Sequence, residues 1–229
     1  MRTQMMIAGV VGSVVLVAFA TLAGLVWWME LLGGIVVFAL FLGMVVVLYL
    51  RVMRPWHLRW GATDEEVARP MPGDELIADV RPATRAITIH ASVEDVWPWL
   101  TQLGYSRAGW YSYDWIDNDF HHSAEEVLPE FQGLAVGDRI LMAPKMGLTV
   151  ASIDPFKSIV SVMDDGNTSW CLALYPIVGD GTRLVSRWRP KLNLPLLAMA
   201  IVEPGTFIME QKMLRSIRDR VERRVRAPS

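Results

Sequence analysis

The stretch SWCLALYPIV-GDG-TRLVSRWR, residues 169–189, decides the fold class. Two long β-prone runs flank Gly179-Asp180-Gly181, a short turn of the kind that closes a hairpin. Similar runs precede it at 139–142, 148–153 and 158–163. They are separated by Pro144, Asp154-Pro155 and Asp164-Asp165-Gly166-Asn167. Consecutive strands joined by short turns make an antiparallel sheet.

Outward from this run, residues 86–90 alternate like one further strand. Ser92 then caps a helix, with Asp95 at capping-box spacing, and Val96, Trp97, Leu100 and Leu103 share one face. Pro98 is expected to kink that helix and Gly104 to follow its end. A short helix is expected near 114–118. A long helix over 204–224 closes the chain, with Phe207, Leu214, Ile217, Val221 and Val225 as its apolar stripe. The expected class is therefore α+β, a curved antiparallel sheet wrapped around a long C-terminal helix.

The N-terminus reads differently. Met5 to Met29 and Leu31 to Leu50 are uncharged and only Glu30 interrupts them, while Gly33 and Gly34 add a place to turn. Each run matches the roughly 20 apolar residues needed to cross a bilayer, so a two-helix transmembrane hairpin is expected over 1–54. Trp27 and Trp28 would flank its turn. Arg2 precedes it and Arg51, Arg54 and Arg59 follow, whereas the turn has no cation. The positive-inside rule puts the rest of the chain in the cytoplasm, at the inner membrane. A cleavage-like Ala18-Phe19-Ala20 is the rival signal-peptide reading, but the apolar run continues past it. Residues 55–81, with Pro70, Pro72 and Gly73, read as a linker, and 82–229 as the soluble domain.

Charge narrows the partners. Residues 61–211 hold 11 basic and 21 acidic side chains, and 212–229 hold seven basic and two acidic. An acidic body argues against nucleic acid, and the basic tail fits anionic lipid better. The single cysteine, Cys171, permits no intrachain disulfide and reads as a small buried hydrophobe.

Several stretches together resemble a bacterial, membrane-anchored branch of the SRPBCC, or START-like, superfamily. They are Val96-Trp97-Pro98-Trp99-Leu100, Arg107 to Trp115, Leu128 to Gln132, Val136 to Ile140, and Glu203-Pro204 leading into Phe207 to Leu214. The resemblance covers roughly residues 82–224 and leaves out the hairpin. It implies a helix-grip fold with an apolar cavity, and a repertoire of lipid or hormone binding and polyketide cyclisation or dehydration. It brings no catalytic set, and one fold hosts many functions.

The cavity candidates are Trp110, Tyr111, Tyr113, Asp114, Glu130, Trp170, Trp188, Phe207 and Glu210. Amphipathic aromatics stack on a ligand while their polar tips bond it, and a buried Glu130 or Glu210 would gain the raised pKa of an acid or base. Arg187 and Arg189 either meet a ligand carboxylate or face solvent. His121-His122 invites a metal, yet adjacent residues diverge and no third ligand follows at suitable spacing. No phosphate loop, serine-hydrolase elbow or zincin motif occurs, so no cofactor or metal is expected. The favoured reading is a membrane-anchored module that binds a hydrophobic or amphipathic small molecule, with lipid among the candidate classes. The alternatives are a cyclase/dehydratase-like enzyme and a non-catalytic interaction domain.

Overall fold

The structure is a computed structural model that describes residues 12–22, 31–179, 181–191 and 195–226. Two units are present, Met1–Arg54 and Pro55–Ser229. In the first, helix α1 covers Gly12–Leu22 and helix α2 covers Leu31–Leu48, followed by a π-helical turn at Tyr49–Met53. The helix Val37–Leu58 is long and apolar enough to cross a membrane, with 22 residues and a mean hydropathy of 2.0. The expected first span lies largely outside the described residues, as do Trp27, Trp28 and Glu30. Gly33 and Gly34, expected at a turn, fall inside α2; glycine is tolerated in apolar helices of this kind.

The second unit opens with two short helices, α3 (Arg54–Leu58) and α4 (Asp64–Ala68). A capping box starts α4: Glu66 N donates to Thr63 Oγ1 and Thr63 N donates to Glu66 Oε2. Six antiparallel strands follow, β1 (Ala83–Ile89), β2 (Arg139–Ala143), β3 (Met146–Asp154), β4 (Ser158–Met163), β5 (Thr168–Ile177) and β6 (Gly181–Pro190). Their order across the sheet is β1-β6-β5-β4-β3-β2. The meander was expected from the turn signals; the return of β1 to pair with β6 closes it from the far end of the sequence.

Helix α5 (Val93–Thr101) carries the Ser92 cap on Asp95 N at 3.2 Å. Helix α6 is the single turn Asp114–Asp117. Helix α7 runs over Leu196–Arg226, eight residues earlier than expected, with Pro204 in its interior rather than at its start. Phe207, Leu214, Ile217 and Val221 of its stripe are buried together with Met213. Val225 is exposed, because the helix by then has passed the end of the sheet.

Alternation on β6 divides the sheet. Leu184, Ser186 and Trp188 face α7, and Arg183, Val185, Arg187 and Arg189 face the other side. Of residues 55–81, expected as a linker, the part after Gly61 packs on that second face as a strap, while Trp56, His57 and Trp60 lie against Phe207 of α7. Met71 joins Ala86, Val160, Cys171, Ala173 and Val185 in a small cluster of its own. The arginines of β6 hold the strap. Arg187 donates to the carbonyls of Glu66 (2.7 Å) and Arg69 (2.8 Å), to Thr84 Oγ1 and to Asp74 Oδ2. Arg183 binds both oxygens of Glu66, and Arg189 donates to Ile77 O. Arg187 and Arg189 therefore meet neither ligand nor open solvent. They satisfy carbonyls at the end of α4 and in the irregular stretch after it, which need partners when covered.

Candidate functional site

The face of the sheet toward α7 carries the site. Across the ladder Ala83, Trp188, Trp170 and Ser161 are register partners, and the next inner row is Arg85, Ser186, Leu172 and Ile159. The rings of Trp170 and Trp188 stack at 4.7 Å and 12°. Trp110, from the loop after α5, continues the row with its centroid 5.8 Å from that of Trp170. Each indole of the buried pair finds an acceptor: Trp170 Nε1 donates to Ser186 Oγ at 2.8 Å and Trp110 Nε1 to Leu141 O at 3.2 Å. Trp188 is the outermost ring and is only partly buried. The rings close on one another and belong to one core with Met213 and Leu214 of α7.

Directly beside this row sits an ion pair. Arg85 and Glu210 are 2% and 6% exposed, and Arg85 Nη1 donates to Glu210 Oε2. Arg85 Nε donates to the carbonyl of His57 at 2.9 Å, and its guanidinium lies over Phe207. Glu210 Oε1 is buried without a hydrogen-bond partner among the described residues. Two of the expected residues, Phe207 and Glu210, thus come together one turn apart on α7. Arg85 and His57, which complete the cluster, carried no sequence signal, since Glu210 and Phe207 are more than a hundred residues away from them.

The aromatic loop divides its residues between roles. Tyr111 is buried with a left-handed backbone, φ 55°. Its hydroxyl accepts from Gln102 Nε2 at 2.6 Å, and burial pushes its pKa up to about 12. Gln102 also receives Leu128 N and Gln132 Nε2 on its carbonyl, a buried polar hub the sequence did not announce. Both oxygens of Asp114 are engaged by Ser123, from Oγ at 2.6 Å and N at 3.1 Å. Asp114 therefore shapes the loop. Tyr113 is half-buried near α7, whereas Glu130 is exposed on the 3-10 turn Pro129–Phe131 and does not join the row. Asp117, not singled out by sequence, has its carboxyl pushed up to about 6 by burial and by the neighbouring Asp114. His121 and His122 are exposed, with His122 Nδ1 at 3.6 Å from Asp114. Cys171 lies under the strap, and burial raises its thiol to about 12. The open groove at the far end of α7, about 520 Å³, is lined by Asp219, Glu222, Arg223 and Arg226 and is charged throughout.

No family model matches the chain, and no curated protein does. Solved structures do. The protein MLL2253 from Mesorhizobium loti is 15% identical, with 62% of this chain and 98% of that one covered and a TM-score of 0.42. The Polyketide_cyc-like protein Cgl2372 from Corynebacterium glutamicum is 15% identical, with 66% and 96% covered and a TM-score of 0.36. An AHSA1-like protein from Aeromonas hydrophila is 18% identical, with 58% and 91% covered and a TM-score of 0.37. At these identities and TM-scores they say nothing of what this chain binds. The helix-grip description rests on its own strand order and on α7 lying across the inner face.

Proposed function

We propose that the chain is a membrane-anchored cytosolic module that takes up an amphipathic, ring-containing or acyl small molecule between the sheet and α7. The observation that carries this reading is the juxtaposition of the Trp110, Trp170 and Trp188 row with the unpartnered Glu210 Oε1. Flat apolar faces beside one buried acceptor suit a ligand with an apolar body and a hydroxyl or amide donor. Uptake requires the outermost ring, Trp188, to turn aside. The apolar helix Val37–Leu58 and the cations at Arg51, Arg54 and Arg59 support an anchor with the domain on the cytoplasmic side. The acid–base alternative draws less support, because Asp114 is committed to Ser123 and Glu130 is exposed.

The test is native mass spectrometry of the full chain released from mild detergent, with bound molecules extracted and identified. A single class of co-purifying amphiphile, lost in Trp188→Ala and weakened in Glu210→Gln, is expected. A chain that is empty and also refuses added fatty acids, sterols and polycyclic aromatics would sink the reading.

A further inference from the structure

From the exposed side chains around α7 we infer that the second unit dips one face into the bilayer surface, through Trp115, Ile116 and Phe120 on the loop and Trp56, Ile201 and Ile208 beside them. This rests on the membrane-anchored reading given above. Phe120 is 77% exposed and Trp115 61%, and the other four are also exposed. Three aromatic rings of about 150–250 Å² each, more than half uncovered, together expose a few hundred Å² of apolar surface, the size of the largest and often functional patch on a monomer.

The loop is built to hold these rings out. Asp119 and Phe120 both have left-handed backbone, φ 47° and 63°, a conformation unfavourable for side chains such as phenylalanine. The turn is fixed by Phe120 N donating to Asp114 O at 2.9 Å, His121 N to Asn118 O at 2.8 Å and Asn118 Nδ2 to His121 O at 2.7 Å. A strained, hydrogen-bonded turn that presents a bare ring to the outside points to a function for the ring.

The parts of the face meet at one place on α7. Ser112 Oγ donates to Met209 O at 3.0 Å, which fastens the loop to the turn containing Ile208. On the same turn, Phe207 receives Trp56 edge-on at 5.2 Å. Trp56 identifies the occupant. It lies within the apolar helix Val37–Leu58, two residues from its end, so connectivity alone puts it at the membrane–water boundary. An apolar face continuous with that residue meets lipid. Tryptophan, with an apolar body and a polar N–H, is the residue type suited to that depth.

The experiment uses the full chain in phosphatidylcholine vesicles, with single cysteines Trp115→Cys, Phe120→Cys or Ile201→Cys carrying an environment-sensitive fluorophore and doxyl-labelled lipid as quencher. Lys157→Cys, on the exposed β3–β4 turn, is the control; it lies at the end of the sheet where His90 N meets Glu222, while the face lies at the Glu210 end. Circular dichroism melting verifies that each labelled chain is folded, and buried Cys171 stays unlabelled. Blue-shifted emission and several-fold stronger quenching at all three face positions than at 157 are expected. They should persist at about 1 M salt, where charge adhesion is screened beyond ~3 Å. Equal, weak quenching at every position overturns the inference, whether a partner protein, a second copy or water covers the face. Quenching that salt abolishes also overturns it and assigns contact to the basic tail. Carbonate extraction of the same vesicles tests the anchor separately, and ligand uptake does not enter the readout.

Discussion

Arg85 on β1 and Glu210 on α7 form a buried ion pair that ties the edge strand to the terminal helix. Twelve residues further along α7, Glu222 accepts from His90 N at the end of the same strand. Twelve helical residues and five strand residues both cover about 17–18 Å, so the helix lies along β1 for most of its length.

Removing one member of the pair strands the other charge. Arg85→Leu should destabilise the chain by about 3–5 kcal/mol, while the double change Arg85→Met with Glu210→Leu should recover most of that. Urea titration of the two variants checks this. Equal losses in single and double variants would show that packing, not charge, is what Arg85 supplies.

Asp117 sets a pH dependence of opposite sign to that of a salt-bridged carboxylate. Its folded pKa of about 6 lies above the unfolded value near 3.9. Between those values the native state holds the extra proton, so this residue lowers stability as pH rises through the window. Asp117→Asn should raise the melting temperature at pH 7 and remove that slope between pH 4 and pH 6. Thermal melts at several pH values read both effects.

The strap depends on Arg187. With five hydrogen bonds into residues 66–84 and almost no exposure, Arg187→Ala leaves several covered carbonyls without donors. The expected loss is at least about 3 kcal/mol, with new protease cleavage confined to residues 62–79. Arg187→Lys should rescue little, since an ammonium cannot reproduce the planar fork.

Gly109 is required by its surroundings. At φ 82° an added Cβ would fall 2.4 Å from Ser123 Oγ, the group that holds Asp114 and Tyr111 N. Gly109→Ala should cost more than the roughly 1–2 kcal/mol of left-handed backbone alone, and should loosen residues 110–124. Hydrogen exchange of Tyr111 N gives the local reading.

Local signals carried the meander, the Ser92 cap and the buried stripe of α7, because each depends on residues within one turn or one hairpin. Pro204 misled the start of α7: a proline usually marks a first turn, yet here eight helical residues precede it. The strap was invisible for a different reason. Pro70, Pro72 and Gly73 do forbid regular structure, but what orders that segment is Arg187, more than a hundred residues away. At the site, Trp170 and Trp188 stood out as aromatic candidates, but their stacking depends on the β5–β6 register, which no local pattern sets. The pairing of Arg85 with Glu210, and the Gln102 hub, join distant parts of the chain and have no local pattern.

The pairing of β1 with β6 has a consequence for timing. Ala83 meets Trp188 across 105 positions of sequence, and the strap before β1 is held by that same late strand. Contacts between such distant segments form slowly and only after loop closure. During synthesis, the apolar N-terminal helix emerges long before β6 exists. The sheet therefore lacks a closing strand through most of synthesis, and the edges of β5 and β1 stay open until residues 181–190 have been delivered. Chaperone protection of that interval, rather than the final stability of the fold, would then set how much protein matures.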